Sequence, residues 1–239
     1  MPKSKYRQIY HVLKERIENC EYNYKDLLPS EHMLIQEFDC SRNTVRRAIK
    51  DLCAGGYAQS IHGKGVRVIY QPGHPAQFTL SGIESFTEAS KRNDLNYTTK
   101  VILFSELCVN DEIHTKTGME KGKEVYYIQR VRILDGVPLI IDHNYFLKEV
   151  VTSLSVEIAE ESIYRYLEEK LNISIATTKR VITVEPVNET DETNLELNGC
   201  NCVAVVSSST YNDDGIMFEY TQSRHSPKHF EFHEVAQRI

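Results

Sequence analysis

The sequence lacks the marks of several large classes of protein. Its six cysteines include no C-x-x-C pair, and Cys200-Asn201-Cys202 has no second pair of ligands at metal-site spacing, so we expect reduced thiols and no metal. There is no signal peptide and no long apolar run, which predicts a cytoplasmic protein without a membrane partner. A nucleophile elbow and a phosphate-binding glycine loop are also missing, so neither an enzyme nor a cofactor is expected.

Basic residues are scarce outside the N-terminal part of the chain. The 239 residues carry a net charge of −6, which by itself is unusual for a protein that binds DNA. Residues 1–70, however, contain 12 Lys and Arg against 8 Asp and Glu, whereas the remainder contains 16 against 26. A basic segment of +4 therefore precedes an acidic body of −10, and only the basic segment can attract phosphates. The length suggests one large domain or two ordinary ones.

The segment 28–65 carries the most informative local pattern. Ser30 can cap a short helix that has Glu31 in its first turn, and Leu34, Ile35 and Phe38 form the apolar face of that helix. An upstream helix over about 4–19 supplies a third apolar stripe. Its inward positions are Tyr6, Ile9, Val12 or Leu13, and Ile17. Together these patterns predict a small helical domain.

A second helix follows a tight connection at 39–40, and Ser41 is its expected N-cap. Its apolar residues recur at three- and four-residue spacing and face inward: Val45, Ala48, Ile49 and Leu52. Gly55-Gly56 ends the helix, and strands over 57–61 and 66–70 flank a glycine-containing turn at 62–65. We therefore predict a winged helix-turn-helix whose second helix enters the major groove of DNA.

The outer faces of that second helix are mostly basic or polar. They carry Arg42, Asn43, Thr44, Arg46, Arg47 and Lys50. An exposed basic helix is usually only a solvated face, but here the turn, both caps and the glycine wing fall in one short segment. The combination predicts that this segment binds double-stranded DNA.

The residues Gln-Pro-Gly-His-Pro at 71–75 are the only cluster of structure breakers between two patterned regions. We predict a DNA-binding domain over 1–70, a linker over 71–78, and a second domain over 79–239. Strands are expected there over 97–104, 125–134, 139–145, 177–187, 202–211 and 217–224, with helices over 158–171 and 191–197. Turns at 135–138 and 212–215 join strands into hairpins. This order predicts an α+β domain with an antiparallel sheet and helices on one face.

Two arginines in one predicted strand suggest a place for an anion. Arg130 and Arg132 are two residues apart, so both side chains leave the same face of the sheet. Two guanidinium groups at one spot suit a phosphate, because each offers paired N–H donors. The alternative is that both arginines pair with carboxylates on a wet sheet face, and spacing alone does not decide between the two.

Several motifs together resemble a known family. Three segments resemble the winged helix-turn-helix of GntR-type transcriptional regulators: LPSE at 28–31, SRNTVRRAIKDL at 41–52 and GKG at 63–65. Four later segments resemble the effector domain (UTRA domain) of the HutC subgroup: SGIESFTE, QRVRILDGVPLIID, ESIYRYLEE and FEYTQSRHSPKHFEF. The fold of that domain is similar to chorismate lyase. Within the subgroup the chain resembles the trehalose operon repressors, in the segments KYRQIYHVLKERIE, SEHML, IIDHNYF and YTQSRH. The resemblance implies a homodimer that binds a palindromic operator and leaves it on binding a phosphorylated sugar, trehalose 6-phosphate.

The resemblance also implies particular contacts with DNA. Arg42 and Arg46 occupy positions that contact bases and phosphates, and Thr44 occupies one that contacts the backbone. Many relatives have arginine where this chain has His32, and histidine lacks the planar two-donor fork of arginine. The predicted DNA-binding residues are Ser30, His32, Ser41, Arg42, Asn43, Thr44, Arg46, Arg47, His62, Gly63, Lys64 and Gly65.

For the effector, the resemblance assigns the phosphate to Arg130, Arg132, Ser162 and Tyr164. It places Asp142, Glu219 and Phe230 at the sugar, with Ser85, Phe86 and Arg224 as further contacts. From the residues alone, Glu219 could equally be a solvated strand charge, Phe230 could belong to the core, and Ser162 and Tyr164 could serve capping and packing. Some relatives carry glutamate in place of Asp142 and tyrosine in place of Phe230, which suggests a different pattern of sugar contacts here.

Three alternatives remain open from the sequence. A regulator of the same subgroup could respond to another effector, such as glucosamine 6-phosphate or a non-sugar metabolite. The protein could activate rather than repress, depending on where its operator lies. An enzyme with a chorismate lyase-like fold is the third possibility, although likeness of fold says nothing about chemistry.

Overall fold

A computed structural model describes residues 5–71 and 96–231 of the chain, together with Ile83 and Thr87. The chain divides into two compact units, one containing residues 5–71 and the other containing residues 96–231. Nearly all of the expected linker at 71–78 lies outside the described residues. No helix in the described part of the chain is both long enough and apolar enough to span a membrane.

The first unit contains three helices and a two-stranded hairpin. They are α1 (Lys5–Glu18), α2 (Glu31–Phe38), α3 (Arg42–Ala54), β1 (Ala58–Ile61) and β2 (Gly65–Val68). The apolar stripes meet in one core, in which Leu13 is fully buried while Val12 is only partly buried. Leu34 of α2 and Leu52 of α3 are also fully buried there. The predicted winged helix-turn-helix is confirmed.

Local chemistry fixes the ends of these helices. The Ser30 hydroxyl accepts a hydrogen bond from the Met33 backbone N–H (3.3 Å), and Ser41 accepts from Thr44 (3.2 Å). Between the two helices Asp39 takes the left-handed conformation, with φ 43°, which lets the chain turn within three residues. The caps therefore set the start of α3 relative to α2.

The second unit is built on a six-stranded antiparallel sheet in the order β3-β4-β5-β8-β7-β6. The strands are β3 (Tyr97–Cys108), β4 (Glu124–Leu134), β5 (Val137–Leu147), β6 (Ile175–Pro186), β7 (Cys202–Asn212) and β8 (Met217–His225). The predicted antiparallel α+β architecture is confirmed. The β4–β5 turn is tighter than predicted, because Asp135 and Gly136 alone form it with positive φ angles of 48° and 82°.

Helices cover both faces of this sheet, so the expectation of helices on one face is wrong. They are α4 (Asp111–Thr117), α5 (Val156–Glu160), α6 (Ile163–Glu169) and α7 (Glu189–Asn194), followed by a 3₁₀ turn at Pro227–His229. Residues of α5 and α6 pack with Ile128 and Phe146 on what we call face A. On the opposite side, face B, Ile113 of α4 packs with Val125 and Tyr145. Because helices lie on both faces, β5 is almost continuously buried instead of alternating.

Three helical regions differ from the sequence prediction, and at α7 only the bounds differ, Glu189–Asn194 in place of 191–197. The expected helix at 158–171 is two short helices, because the chain breaks at 161–162 and the Ser162 hydroxyl caps a new start by accepting from the Arg165 N–H (3.3 Å). Helix α4 was not predicted. Its signals were present, since Asn110 caps its N-terminus and Gly118 ends it with φ 75°.

Candidate functional site

The first candidate site is the outer surface of α3 with the wing, the hairpin turn at 62–65. Arg42, Asn43, Arg46 and Arg47 are exposed on α3, as the inward position of its apolar stripe requires. Thr44 is half-buried, and its hydroxyl lies 2.8 Å from that of Ser41. Because Val45, Ala48 and Ile49 face the core, the basic side chains lie on the outward faces of the helix. The surface therefore offers several cationic and hydrogen-bonding groups to one flat or grooved partner.

Two of these arginines are held by an acidic residue of α2. Arg46 Nε donates to both carboxylate oxygens of Glu31 (2.9 and 3.1 Å), and Arg42 Nε lies 3.8 Å from the same carboxylate. Arg47 is oriented differently, since its guanidinium lies 3.8 Å from the centre of the Tyr6 ring and donates to the Tyr6 hydroxyl (3.1 Å). The arginines are thus oriented before any partner arrives.

The wing is the second part of this surface. Gly63 and Gly65 have φ of 71° and 105°, a conformation that favours glycine, and no atom lies within 4 Å of where a Cβ would be. Glycine is therefore favoured at both positions by the backbone conformation of the turn and not by close packing. His62 and Lys64 are exposed beside them. His32, on α2, is exposed and shares a 3.2 Å hydrogen bond with Gln36.

The second candidate site lies on face A, where β4 and β5 place the arginine cluster: Arg130, Arg132 and Asp142. Arg130 is directly opposite Asp142 in the strand register. Arg132 Nε donates to Asp142 Oδ2 (2.8 Å), and Arg130 Nη2 lies 3.7 Å from the same oxygen. All three residues are at most 7% exposed. Both arginines thus pair with one carboxylate, as one of the two interpretations expected, but on a buried face and not on a wet one.

Within the cluster two cations face one carboxylate, and the Glu219 carboxylate acts on Arg130 as a further negative charge. Burial lowers the pKa of Arg130 to about 9, and the neighbouring Arg132 acts in the same direction. Burial alone would raise the pKa of Asp142, but Arg132, Arg130 and a hydrogen bond from Ser223 hold it below its usual value. Asp142 therefore stays ionised while the two guanidiniums repel each other. A bound anion would offset that repulsion.

A chain of hydrogen bonds joins the arginine cluster to α6. Arg130 Nε donates to Asn144 (2.8 Å), whose amide donates to Thr221 (2.7 Å). The Thr221 hydroxyl donates to one carboxylate oxygen of Glu219 (2.8 Å), and the Tyr164 hydroxyl donates to the other (2.7 Å). Burial raises the pKa of Glu219 and places that of Tyr164 well above its usual value. Glu219 is thus a buried, fully engaged group, not a solvated strand charge.

Arg224 is in a different place from the other predicted effector residues. It lies on face B, because it is one residue out of step with Ser223, which reaches Asp142 on face A. Its guanidinium donates to Asp191 through Nε and Nη2 (2.7–3.0 Å) and to Glu185 through Nη1 (2.6 Å). The structure thus separates Arg224 from the face that carries the other predicted effector residues.

The remaining predicted residues lie around face A. Ser162 caps α6, whose Tyr164 closes the hydrogen-bond chain, and Arg130 Nη1 donates to the Ala159 carbonyl at the end of α5 (3.2 Å). The ring of Phe230 lies 5.0 Å from that of His225, whose pKa burial lowers to about 4. Ser85 and Phe86 lie outside the described residues.

Sequence reasoning missed several polar residues of face A. Thr99 accepts from Arg132 Nη1 (2.7 Å), and Arg180 of β6 lies near Tyr164 and Glu219. The others are Asn144, Thr221 and Ser223. The signal for these three was strand alternation, because each lies an even number of residues from a predicted site residue on its own strand.

Comparison with known proteins gives the same division of the chain. Residues 5–68 match the family model of bacterial regulatory proteins of the gntR family, and residues 92–231 match that of the UTRA domain. The HTH-type transcriptional regulator TreR of Bacillus subtilis is 33% identical, covering 100% of this chain and 99% of TreR. The HTH-type transcriptional repressor NagR of the same organism is 26% identical, covering 98% and 95%.

Solved structures agree. The possible transcriptional regulator YydK from Bacillus subtilis matches with a TM-score of 0.81 at 25% identity, over 98% of this chain and 100% of that one. The effector binding domain of the Bacillus subtilis trehalose repressor matches with a TM-score of 0.54 at 32% identity, over 59% of this chain and 99% of that domain. With a winged helix-turn-helix joined to a UTRA domain, the chain belongs to the GntR family and is a DNA-binding transcriptional repressor of the HutC type.

Proposed function

We propose that the protein is a cytoplasmic, homodimeric repressor of a trehalose-utilisation operon. It binds a palindromic operator through α3 and the wing, and trehalose 6-phosphate bound at face A releases it. The observation that carries the proposal is the arginine cluster, in which two buried guanidiniums share one carboxylate. Full-length identity of 33% to TreR supports the choice of trehalose 6-phosphate.

The chemistry of the arginine cluster favours a phosphate. A guanidinium provides a planar set of N–H donors that matches phosphate oxygens, and such charge-assisted hydrogen bonds gain strength where water is excluded. Arg130 and Arg132 are 5% and 6% exposed, so both meet a ligand already desolvated. Asp142, Asn144 and the Tyr164–Glu219 pair line the same face and offer acceptors and donors for sugar hydroxyls.

The DNA contacts follow from exposure and charge at the other site. The side chains of Arg42 and Arg46 are 66% and 60% exposed, and the wing places Lys64 and His62 beside two glycines. In this arrangement α3 reads base edges in the major groove while the wing reaches the backbone or the minor groove. The acidic second unit adds no attraction for phosphates, so the first unit supplies the affinity.

Release requires that the ligand bind more tightly to the form of the dimer that does not fit the operator. The affinity for the operator then falls by at most the ratio of the ligand affinities for the two forms. A coupling of about 1–3 kcal/mol weakens binding roughly 5- to 150-fold.

The test is fluorescence anisotropy with a labelled palindromic site from upstream of a trehalose-utilisation operon, at fixed salt. We expect trehalose 6-phosphate to release the protein, and trehalose or glucose 6-phosphate to leave it bound. Tight binding without release by trehalose 6-phosphate would refute the effector assignment. Binding no tighter than to a scrambled site would refute the operator assignment.

A panel of phosphosugars sharpens the effector assignment. NagR, another transcriptional repressor, is 26% identical over 98% of this chain, so the panel includes phosphosugars other than trehalose 6-phosphate. A ligand that binds only the folded protein raises its melting temperature, by an amount set by its concentration relative to Kd. We expect the largest rise with trehalose 6-phosphate, and a larger rise with glucosamine 6-phosphate would contradict the assignment.

A further inference from the structure

The outer edge of β6 is an apolar strand edge. Val181, Ile182 and Val184 are 52%, 38% and 73% exposed, although all three are β-branched residues that favour sheet interiors. Strand β6 is the last of the six-strand order, and no strand in the described part of the chain pairs with its outer side. A long edge of this kind presents unpaired backbone N–H and C=O groups and is a template for another strand.

The opposite edge, β3, is protected in several ways. The Glu160 carboxylate accepts a hydrogen bond from the Val101 backbone N–H (3.1 Å), and α5 packs against the strand. The register is irregular between Val101 and Leu103, which disturbs the ladder that a new strand would need. Glu106 near the end of the strand is paired with Lys148 (2.7 Å). These devices are typical of edges that must not pair. In β6 the register is irregular between Ile175 and Thr177, outside the exposed stretch 181–184.

The sequence of β6 fits a second copy of itself. A two-fold axis perpendicular to the sheet pairs the two edges antiparallel and keeps each face on its own side, so the axis passes through a residue. Centred on Ile182, this pairing places Lys179 opposite Glu185 on both sides of the axis. Centred instead on Val181 or Thr183, neither charge meets an opposite charge. Opposite charges directly across two strands are favourable, so the register centred on Ile182 is preferred.

We propose that the outer edge of β6 is the surface on which a second copy of this chain docks, with the two strands antiparallel about Ile182. The inference rests on the homodimer of the proposed function and names its contact surface. In this register Arg180 lies opposite the partner's Val184. Arg180 also lies near Tyr164 and Glu219 of face A, so a ligand there acts directly beside the dimer contact.

The first test compares two equally exposed edge residues by sedimentation velocity over a concentration series. Ile182→Asp places two carboxylates face to face on the axis, and we expect it to raise the dimer Kd at least about tenfold through like-charge repulsion. Leu103→Asp on β3 is the matched control, since Leu103 is 40% exposed, and its dimer should be unchanged. An unchanged dimer in Ile182→Asp, or equal weakening in Leu103→Asp, would overturn the proposal.

The proposed register can also be tested by placing a positive or a negative charge at position 184. Val184→Lys faces Arg180 of the partner subunit and should weaken the dimer, whereas Val184→Asp faces the same arginine and should not. Mild oxidation should cross-link Ile182→Cys but neither Leu103→Cys nor the wild-type chain with its six cysteines. Equal effects of Lys and Asp at 184, or no cross-link at 182, would refute this register.

Failure here is distinguishable from failure of the proposed function. Each variant is also tested for a melting-temperature rise with trehalose 6-phosphate. A wild-type protein that is monomeric but responds to the ligand would refute the β6 interface while leaving the effector assignment intact. A dimer that resists Ile182→Asp and still releases operator on ligand binding would move the interface elsewhere.

Discussion

The two units of this protein use arginine in opposite ways. On α3 the side chains of Arg42 and Arg46 are 66% and 60% exposed, whereas those of Arg130 and Arg132 are 6% and 8% exposed. Exposed arginines contribute little to folding and act on a partner through a field that salt screens. Buried arginines have already lost their water, so they are part of the fold and are hardly screened. Substitution should therefore separate binding from stability in the first unit but not in the second.

The largest effect is expected from a buried arginine outside the effector site. Arg224→Ala leaves Asp191, which is fully buried, without the guanidinium that donates to both of its oxygens. Breaking a buried ion pair on one side typically costs about 3–5 kcal/mol, so the second unit should unfold at markedly lower denaturant concentration. Denaturant unfolding measures this loss. Where the variant is folded, trehalose 6-phosphate should still raise its melting temperature, and loss of that response would place Arg224 back in the ligand site.

Arg132→Ala should be nearly as destabilising, and here the response to ligand should disappear as well. The substitution removes the donor to Asp142 and one of the two proposed phosphate ligands. Operator binding should persist, because the first unit is untouched. Arg132→Lys keeps the charge without the planar fork, so it should retain more stability and still bind ligand weakly. Anisotropy with and without ligand gives the answer, and normal release by Arg132→Ala would refute the site.

Stability of the second unit should fall as the pH drops. Burial lowers the pKa of His143 and His225 to about 4 from 6.5, so their neutral forms favour the folded state. The unfolded chain takes up protons first, and stability present above pH 6.5 is lost as pH falls towards 4. Each histidine contributes up to about 1.4 kcal/mol per pH unit in that window.

Melting temperatures of histidine variants across this window test the prediction. Because the pKa of Glu219 is raised in the folded state, its protonation changes stability with pH in the opposite direction to the histidines. The comparison between variants, and not the wild-type curve alone, therefore tests the prediction. His143→Gln should flatten the dependence, while His62→Gln, at an exposed wing position, should leave it as in wild type. Identical curves for the two variants would contradict the assignment.

Substitution of an exposed arginine on α3 should have the smallest effect on stability but should clearly weaken operator binding. Arg46→Ala should weaken operator binding by about 1–3 kcal/mol if the side chain reads a base, and should change stability by less than about 0.5 kcal/mol. Arg165→Ala, another exposed arginine with a neighbouring glutamate, is the matched control and should change neither. Anisotropy at two salt concentrations distinguishes a base contact from a phosphate contact, because only the latter reduces the salt dependence. Unaltered operator affinity in Arg46→Ala would contradict the recognition-helix assignment.

The sequence predicts the first unit almost completely because its signals are local. The Ser30 and Ser41 caps, the apolar spacing of α3 and the glycines of the wing each act within a few residues. Strands β4, β5 and β8 were also predictable, since runs of strand-forming residues and the turns between them mark them. The same rule of alternation could have separated Arg224 from Ser223, and the resemblance to relatives overrode it.

The rest of the second unit depends on distant contacts. Ser162 is a residue type that caps helices, but the apolar spacing across 158–171 continues through the break at 161–162. The break is accompanied by the packing of both α5 and α6 on face A. The partners of Glu219 come from α6 and its own strand, 55 and two residues away in sequence. Its burial therefore could not be read from its neighbours. Helices on both faces of the sheet likewise follow from tertiary packing and not from any single segment.

Strand alternation puts Ser223 on face A and Arg224 on face B. Adjacent residues of β8 therefore serve two different purposes, the proposed effector site on one face and the ion pairs with α7 on the other. Positions on face A, where we propose that the effector binds, can change, residue by residue, without disturbing the ion pairs that hold α7 to the sheet. A new ligand preference therefore does not require a new scaffold, only different side chains at every second position. An insertion of one residue within β8 would exchange the two sets and erase both tasks at once.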